Sequence, residues 1–177
     1  MFSCSLLSRS VCNAETSINN TLSPSMAAQE LKWELGGIAG GIILFGLNEW
    51  KWGDTSFNFN NEGWFGMNTG SGGADKLGHL YSSYLLDEFL THRLYKKTGD
   101  LKDAARNGAL FSGGLMLVVE IFDGFSSDHG FSHEDLIMNG TGIGVSYLKN
   151  TVPGLRNKLD LRVEYNPRSE EHTSELQ

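Results

Sequence analysis

The strongest signal of the fold is an uncharged run in the second half of the chain, Ala109-Leu110-Phe111-Ser112-Gly113-Gly114-Leu115-Met116-Leu117-Val118-Val119. Glu120 follows this run directly. Asp100 precedes the run as a good helix N-cap, and Asp103 stands at the capping-box position as a shorter substitute for Glu. These signals predict a helix that runs to about Phe122. The carboxylate of Glu120 is then expected to end an otherwise apolar helical core.

Three further helices are predicted around this one. The first contains 13 consecutive residues without a charge, Leu35–Leu47, a length that fits a buried core helix or a shallow membrane insertion. Its glycine pairs Gly36/Gly40 and Gly37/Gly41 are four residues apart, which predicts a flat face for close helix packing. The sequence therefore predicts a mainly α protein, a four-helix bundle in residues 29–152, with helices over about 29–50, 75–97, 100–122 and 132–150.

Two segments of the body lack a helical pattern. Residues 51–74 form a connection rich in Gly, Asn and aromatic residues, which we expect to be a lid packed on the helices, with a binding platform as the alternative. Apolar and polar residues alternate from Leu159 to Tyr165, which predicts a strand. Residues 153–167 are accordingly expected to be the start of a β segment that is cut off.

The two ends of the chain are not expected to belong to the helical body. Residues 1–28 are expected to be a leader or a disordered arm, and Arg9, Ser10 and Val11 before Cys12 are a poor match to a lipoprotein signal. Residues 168–177 resemble the translation of a common short-read sequencing adapter. We therefore expect that this segment is an artefact and that the natural protein continues differently after Pro167.

Composition excludes several classes of protein. The formal net charge is −7, which argues against a surface for nucleic acid. Both cysteines, Cys4 and Cys12, lie near the start, so a disulfide framework, a cysteine-ligated metal site or a cysteine nucleophile is not expected in the body. No uncharged apolar run reaches the roughly 18 residues of an unambiguous membrane span.

The candidate site consists of polar residues that interrupt apolar helical faces. Asp75 and His79 are four residues apart and share one face of a helix, as do Asp135 and Asn139. A lone buried carboxylate is costly, so these groups are expected to meet one another or to reach water. The predicted site residues are Asp75, Lys76, His79, Glu120, Asp135 and Asn139.

Three interpretations of this cluster remain open at the level of sequence. Asp75 and His79 could act as a general base pair or as metal ligands, since a carboxylate can orient an imidazole. The cluster could instead be a structural polar network that joins the helices. Asp128, His129 and His133 could bind a metal, although solvated loop histidines are the more common case.

The same residues carry a family resemblance. Glu62-Gly63-Trp64-Phe65-Gly66, Gly72-Gly73-Ala74-Asp75-Lys76-Leu77-Gly78-His79, Glu120 to Phe125 and the series from Gly130 to Asn139 resemble a YfiM-like family of uncharacterised predicted periplasmic lipoproteins. More distantly, the Asp75-Lys76-x-x-His79 motif, Glu120 and the Asp135/Asn139/Gly142 series are similar to VanZ-like membrane proteins. The resemblance implies a helical protein of the bacterial cell envelope, in the periplasm or associated with a membrane.

Two functions are therefore expected, in order of preference. The first is a non-enzymatic, membrane-associated envelope protein with a buried Asp/His/Glu/Asn network. The second is an enzyme that acts on an envelope lipid or glycan through the same residues, with the help of a metal ion or without it. No cofactor and no nucleic-acid partner are expected; a membrane or envelope component is the expected partner, and small-residue helix faces are compatible with a homo-oligomer.

Overall fold

The computed structural model describes residues 21–61, 63–65 and 73–162. Over these residues the chain forms five helices and no regular strand. In chain order the helices are α1 (Pro24–Glu30), α2 (Lys32–Asn48), α3 (Ala74–Thr98), α4 (Leu101–Asp123) and α5 (His133–Thr151). The mainly α class predicted from the sequence is confirmed.

Capping residues begin and end the long helices, and the predicted N-cap Asp100 is one of them. The Asp100 carboxylate accepts a hydrogen bond from the Asp103 amide at 2.9 Å, and the Ser132 hydroxyl accepts one from the Asp135 amide at 3.3 Å. Each bond satisfies an N–H group that has no partner within its helix. α3 ends at Gly99, whose φ of 77° suits a residue without a Cβ atom.

The helix predicted over residues 29–50 is in fact two helices. Ser23 caps α1 and Pro24 occupies its first turn, so regular structure begins inside the segment expected to be a leader or arm. At Leu31 the backbone leaves helical geometry, with φ −102° and ψ 11°, and α2 starts at the next residue. The Leu31 side chain is fully buried in an apolar cluster that joins α1 to α3 and α4 and consists of Ala27, Leu31, Leu90, Leu94 and Ala104.

The centre of the fold is a bundle of three helices. α3 and α5 run parallel, because Lys76 meets Asp135 near the start of both helices and Glu88 meets Lys149 further along. α4 runs antiparallel to them, and its last turns reach the beginning of α3. α2 packs on this bundle through Leu35 and Ile38, and it contacts the other helices far less than they contact one another. The predicted four-helix bundle is therefore not confirmed.

Close packing depends on other glycines than those predicted. The glycine pairs of α2 face open space, since a Cβ atom on any of the four would have no neighbour within 4 Å. In contrast, a Cβ atom at Gly142 would overlap the Leu80 carbonyl and the Ser83 hydroxyl, and one at Gly108 would overlap the Thr91 hydroxyl. Gly142 thus allows α5 to approach α3, and Gly108 allows α4 to approach α3.

The predicted C-terminal β segment is not confirmed. Residues 153–158 form turns after α5, and residues 159–162 have no regular structure. Asp160 is held against the bundle, where Tyr84 donates to it at 3.1 Å and Lys149 lies 3.3 Å away. The rest of the predicted strand, residues 163–165, lies outside the described residues.

The two glycines of α5 that flank Thr141 give a matched test of this packing. Gly142→Ala is expected to destabilise the protein by about 1–3 kcal/mol, because the added methyl overpacks the contact with α3. Gly140→Ala has open space around it and is expected to be neutral or to stabilise by up to about 1 kcal/mol through helix propensity. Thermal unfolding followed by circular dichroism measures both, and equal stability of the two variants would contradict the assignment.

Candidate functional site

The six predicted site residues come together at the end of the bundle where α3 and α5 begin and α4 ends. Lys76 joins the two carboxylates contributed by α3 and α5: its Nζ lies 2.9 Å from Asp135 Oδ1 and 3.3 Å from Asp75 Oδ2. Lys76 and Asp135 are nearly inaccessible to solvent, at 2% and 4% exposed, whereas Asp75 is exposed. The ammonium group therefore compensates a carboxylate that water hardly reaches.

His79 lies between the carboxylates of all three helices. Its Nδ1 is 3.3 Å from Glu120 Oε1, although the pair does not have the alignment of a hydrogen bond. Its Nε2 faces Asp75 Oδ1 at 3.8 Å and Asp135 Oδ2 at 4.0 Å. The imidazole is about one-fifth exposed, so it also has contact with solvent.

Glu120 and Asn139 form the innermost part of the site. Glu120 is 1% exposed, and Asn139 Nδ2 donates a hydrogen bond to its Oε1 at 3.1 Å. The remaining oxygen of Asn139, Oδ1, is buried and has no hydrogen-bond donor among the described residues. The amide group of Asn139 therefore orients the Glu120 carboxylate toward His79.

A small polar cavity of about 110 Å³ lies over these side chains. Asp123 adds a further carboxylate to its wall, and its Oδ1 accepts a hydrogen bond of 2.7 Å from the buried indole of Trp52. The cavity has room for several atoms between two imidazoles and four carboxylates. Its lining residues are Trp50, Asp75, His79, Val119, Glu120, Asp123, His129, Gly130 and Asp135.

Two loops, residues 49–61 and 124–132, cover this end of the bundle, and we call them the cover loops. The Asn58 side chain donates to the carbonyls of Gly124 and Ser126 at 3.1 and 3.2 Å. The backbone N–H of Asn60 donates to the backbone carbonyl of Phe131 at 2.9 Å. The ring of Trp52 stacks on Phe122 of α4, with centroids 5.0 Å apart. The ring of Trp52 thus packs on α4, as a lid would. The other aromatic side chains of the connection are 40–77% exposed, so a binding platform remains the alternative; they are Phe57, Phe59, Trp64 and Phe65.

The loop residues proposed as an alternative metal site do not converge. Asp128 pairs with Lys51 at 2.7 Å, and this ammonium group lowers the pKa of the Asp128 carboxyl. His129 faces the cavity, whereas His133 is exposed and lies beside Glu134. Within the described ranges, the only group of His, Cys, Asp and Glu side chains close enough to hold a metal ion is Asp75, His79 and Asp135.

A second polar network was missed by the sequence analysis. Lys149 lies 3.1 Å from Glu88 and donates to Tyr84 at 2.7 Å, while Asn150 and Ser146 donate to Glu88 at 2.6 and 2.9 Å. Tyr84 and Glu88 are four residues apart, as are Ser146 and Asn150. The spacing that identified the first cluster could therefore have identified this one.

Comparison with known proteins agrees with the envelope assignment. The profile of a family described as "Predicted periplasmic lipoprotein (DUF2279)" matches residues 61–151. No curated protein and no solved structure matches the chain. Since the profile covers more than half of the sequence, including all six predicted site residues, the chain belongs to this family. It is thus a helical protein of the bacterial cell envelope, in a family without an assigned function.

Proposed function

We propose that this member of the family is a membrane-embedded envelope protein whose three-helix bundle exposes apolar side chains to lipid and encloses polar ones. The observation that carries the proposal is the inverted polarity of α3, α4 and α5. Polar and charged side chains dominate the interior of the bundle, which contains Lys76, Ser83, Asp87, Thr91, Asn107, Ser112, Glu120, Asp135, Asn139, Ser146, Lys149 and Asn150.

The outside of the same helices is apolar. On α4 the exposed positions between Arg106 and Asp123 carry no charge, and Leu110 is 54% exposed. Ile137 and Leu148 of α5 are each 51% exposed. Monomers in water rarely expose contiguous apolar surface beyond a few hundred Å². The other exposed large apolar side chains of the three helices are Leu77, Leu85, Phe89, Tyr95, Leu117, Val118, Ile121, Phe122, Leu136 and Tyr147.

A lipid bilayer around the bundle would account for both its polar interior and its apolar exterior. Lipid offers no hydrogen bonds, so polar side chains within it face the interior of a bundle and pair with one another. The Asp87 carboxylate, for example, is fully buried and accepts a hydrogen bond from Ser112 at 3.3 Å. Small residues such as Gly108 and Gly142 at the helix contacts are also typical of packing in membranes.

Helix length is compatible with this proposal. Among the described residues, one helix, Leu101–Asp123, is long and apolar enough to cross a membrane. Its 23 residues extend about 34 Å, compared with about 30 Å for the hydrocarbon core of a bilayer. Buried helices of water-soluble proteins can meet the same criterion, but less than half of the apolar window of α4 is buried. The exposure of α4 therefore supports lipid contact more strongly than its length does.

The distribution of charge suggests an orientation. The end of the bundle opposite the site is basic, with Arg93, Lys96, Lys97, Lys102 and Arg106 in the last turns of α3 and the first turns of α4. Lys and Arg are enriched on the cytoplasmic side of membrane proteins. We therefore propose that the basic end faces the cytoplasm and that the cavity opens toward the periplasm.

Membrane fractionation tests the embedding. Wild-type protein is expected to stay in the membrane pellet after an alkaline carbonate wash and to need detergent for release. Leu117→Lys is expected to reduce the inserted fraction several-fold, because its charge would lie in hydrocarbon. Ser127→Lys, in an exposed loop, is the matched control and should behave as wild type. Recovery of wild-type protein in the soluble fraction without detergent would refute the proposal.

Labelling of single cysteines tests the orientation. Both natural cysteines, Cys4 and Cys12, are first replaced by Ser. In spheroplasts, a membrane-impermeant maleimide is expected to label Ser127→Cys at the site end and not Lys102→Cys at the basic end. Both variants should react after detergent is added. The reverse pattern would reverse the orientation, and labelling of both in intact spheroplasts would contradict a bundle that spans the membrane.

The second candidate function is an enzyme that acts on an envelope lipid or glycan. It is favoured by the cavity, where the partly exposed His79 lies next to the carboxylates of Asp75 and Glu120. For this function, His79→Ala and Asp135→Ala should insert and fold normally but fail to restore the phenotype of a deletion strain, whereas His133→Ala should restore it. Restoration by all three variants would exclude the enzyme and leave the polar cluster as structure.

A further inference from the structure

Three ligand-type atoms converge at the start of α3 and α5. Asp75 Oδ1, Asp135 Oδ2 and His79 Nε2 lie within 4.8 Å of one another, and Nε2 is 3.8 and 4.0 Å from the two oxygens. Metal–ligand bonds of about 2.0–2.2 Å put neighbouring ligand atoms about 3–3.5 Å apart. Side-chain shifts of about 1 Å would therefore bring the three atoms into one coordination sphere.

We propose that Asp75, His79 and Asp135 bind one divalent transition-metal ion. An imidazole nitrogen with two carboxylate oxygens is a ligand set that suits Zn²⁺ or Mn²⁺. The two carboxylates come from different helices, so the ion would join α3 to α5. The proposal does not depend on the membrane location, and it deepens the second candidate function by naming what would activate the site.

In Asp75 and Asp135, one carboxylate oxygen pairs with Lys76 and the other faces His79. The Lys76 ammonium group contacts Asp75 Oδ2 and Asp135 Oδ1, and these are not the oxygens that face His79. The other oxygen of each carboxylate, Asp75 Oδ1 and Asp135 Oδ2, points toward Nε2. Lys76 thus contacts one oxygen of each carboxylate and leaves the other oxygen of each for the metal ion.

Glu120 lies where the supporting carboxylate of a ligating histidine is usually found, and a small rotation of the His79 ring would align the two groups for a hydrogen bond. A metal-bound His commonly directs its other ring N–H at a carboxylate, which fixes the tautomer and the orientation of the ring. Glu120 Oε1 lies 3.3 Å from His79 Nδ1, and Asn139 Nδ2 donates to the same oxygen at 3.1 Å. With its proton on Nδ1, His79 would present the Nε2 lone pair to the metal ion.

Charge and space also favour a cation. Four carboxylates, those of Asp75, Glu120, Asp123 and Asp135, line the cavity, and the Lys76 ammonium group pairs with two of them. Carboxylates with little access to water are stabilised by an additional positive charge nearby. The cavity of about 110 Å³ leaves room for water molecules to complete the coordination of an ion with three protein ligands.

The test is metal binding by the full chain, purified in detergent and stripped of metal with a chelator. Wild type is expected to bind one equivalent of Zn²⁺ by calorimetry, and Co²⁺ in its place should give visible absorption bands of a nitrogen- and oxygen-ligated ion. Asp135→Asn and His79→Gln should weaken Zn²⁺ binding at least 100-fold. Glu120→Gln should keep the stoichiometry and weaken binding about 10- to 100-fold, as the loss of a supporting carboxylate does.

The control is His133→Ala, which removes an exposed histidine away from the cavity and should leave the affinity unchanged. Circular dichroism establishes that each variant is folded. Folded wild type that binds no Zn²⁺, or unchanged Zn²⁺ affinity in both His79→Gln and Asp135→Asn, would overturn the proposal. Zn²⁺ binding is measured directly, so its result is independent of the deletion-strain experiment. A metal site without enzymatic activity would bind Zn²⁺, although the His79→Ala and Asp135→Ala variants would still restore the deletion strain.

Discussion

The buried ion pair between Lys76 and Asp135 holds the starts of α3 and α5 together. Both side chains are removed from water, so each requires the other, and a break would leave an uncompensated charge in the bundle. The pair joins the first turns of α3 and α5, and the Glu88–Lys149 pair joins the same helices further along, so the two helices lie parallel. Once they are aligned, the end of α4 brings Glu120 to His79 and Asn139. The site is therefore also the point at which the relative positions of the three helices are set.

The interior of the bundle combines small residues with polar ones. Gly108 and Gly142 let the helices approach, and hydrogen bonds such as that between Ser112 and Asp87 form across the short gap. Among the described residues, the cluster of fully buried apolar side chains lies at the basic end, where Glu34 of α2 also pairs with Arg93 at 2.7 Å. The opposite end thus holds the candidate site and the cover loops, and the basic end holds the largest apolar contacts.

Local signals in the sequence predicted much of this arrangement. The cap Asp100 could be predicted because its side chain accepts a hydrogen bond from a backbone amide only three residues away. The site residues were identified because two polar groups four apart must share a helical face. Contacts between helices could not be predicted in this way, because they depend on residues that are far apart in the sequence. Gly36 and Gly108 look alike in a helical segment, and only the packing partner shows that the second is the contact.

The division of the first predicted helix has a similar cause. Leu31 continues the helical pattern, but its burial against α3 and α4 favours a break in the backbone at that position. The distinction between three and four bundled helices likewise depends on the orientation of α2, which a single sequence does not encode in a recognisable motif. The hydrogen bond from Trp52 to Asp123 joins residues 71 positions apart and therefore leaves no local signal in the sequence.

The parallel arrangement of α3 and α5 has an electrostatic consequence for the site. Peptide dipoles add along each helix, so its N-terminus carries a partial positive charge and its C-terminus a partial negative one. Two N-termini and one C-terminus meet at the cavity, and Asp75 and Asp135 lie in the first turns of the two positive ends. The backbone itself thus favours negative charge beside His79. The two helix starts thus offset part of the repulsion among the carboxylates that line the cavity.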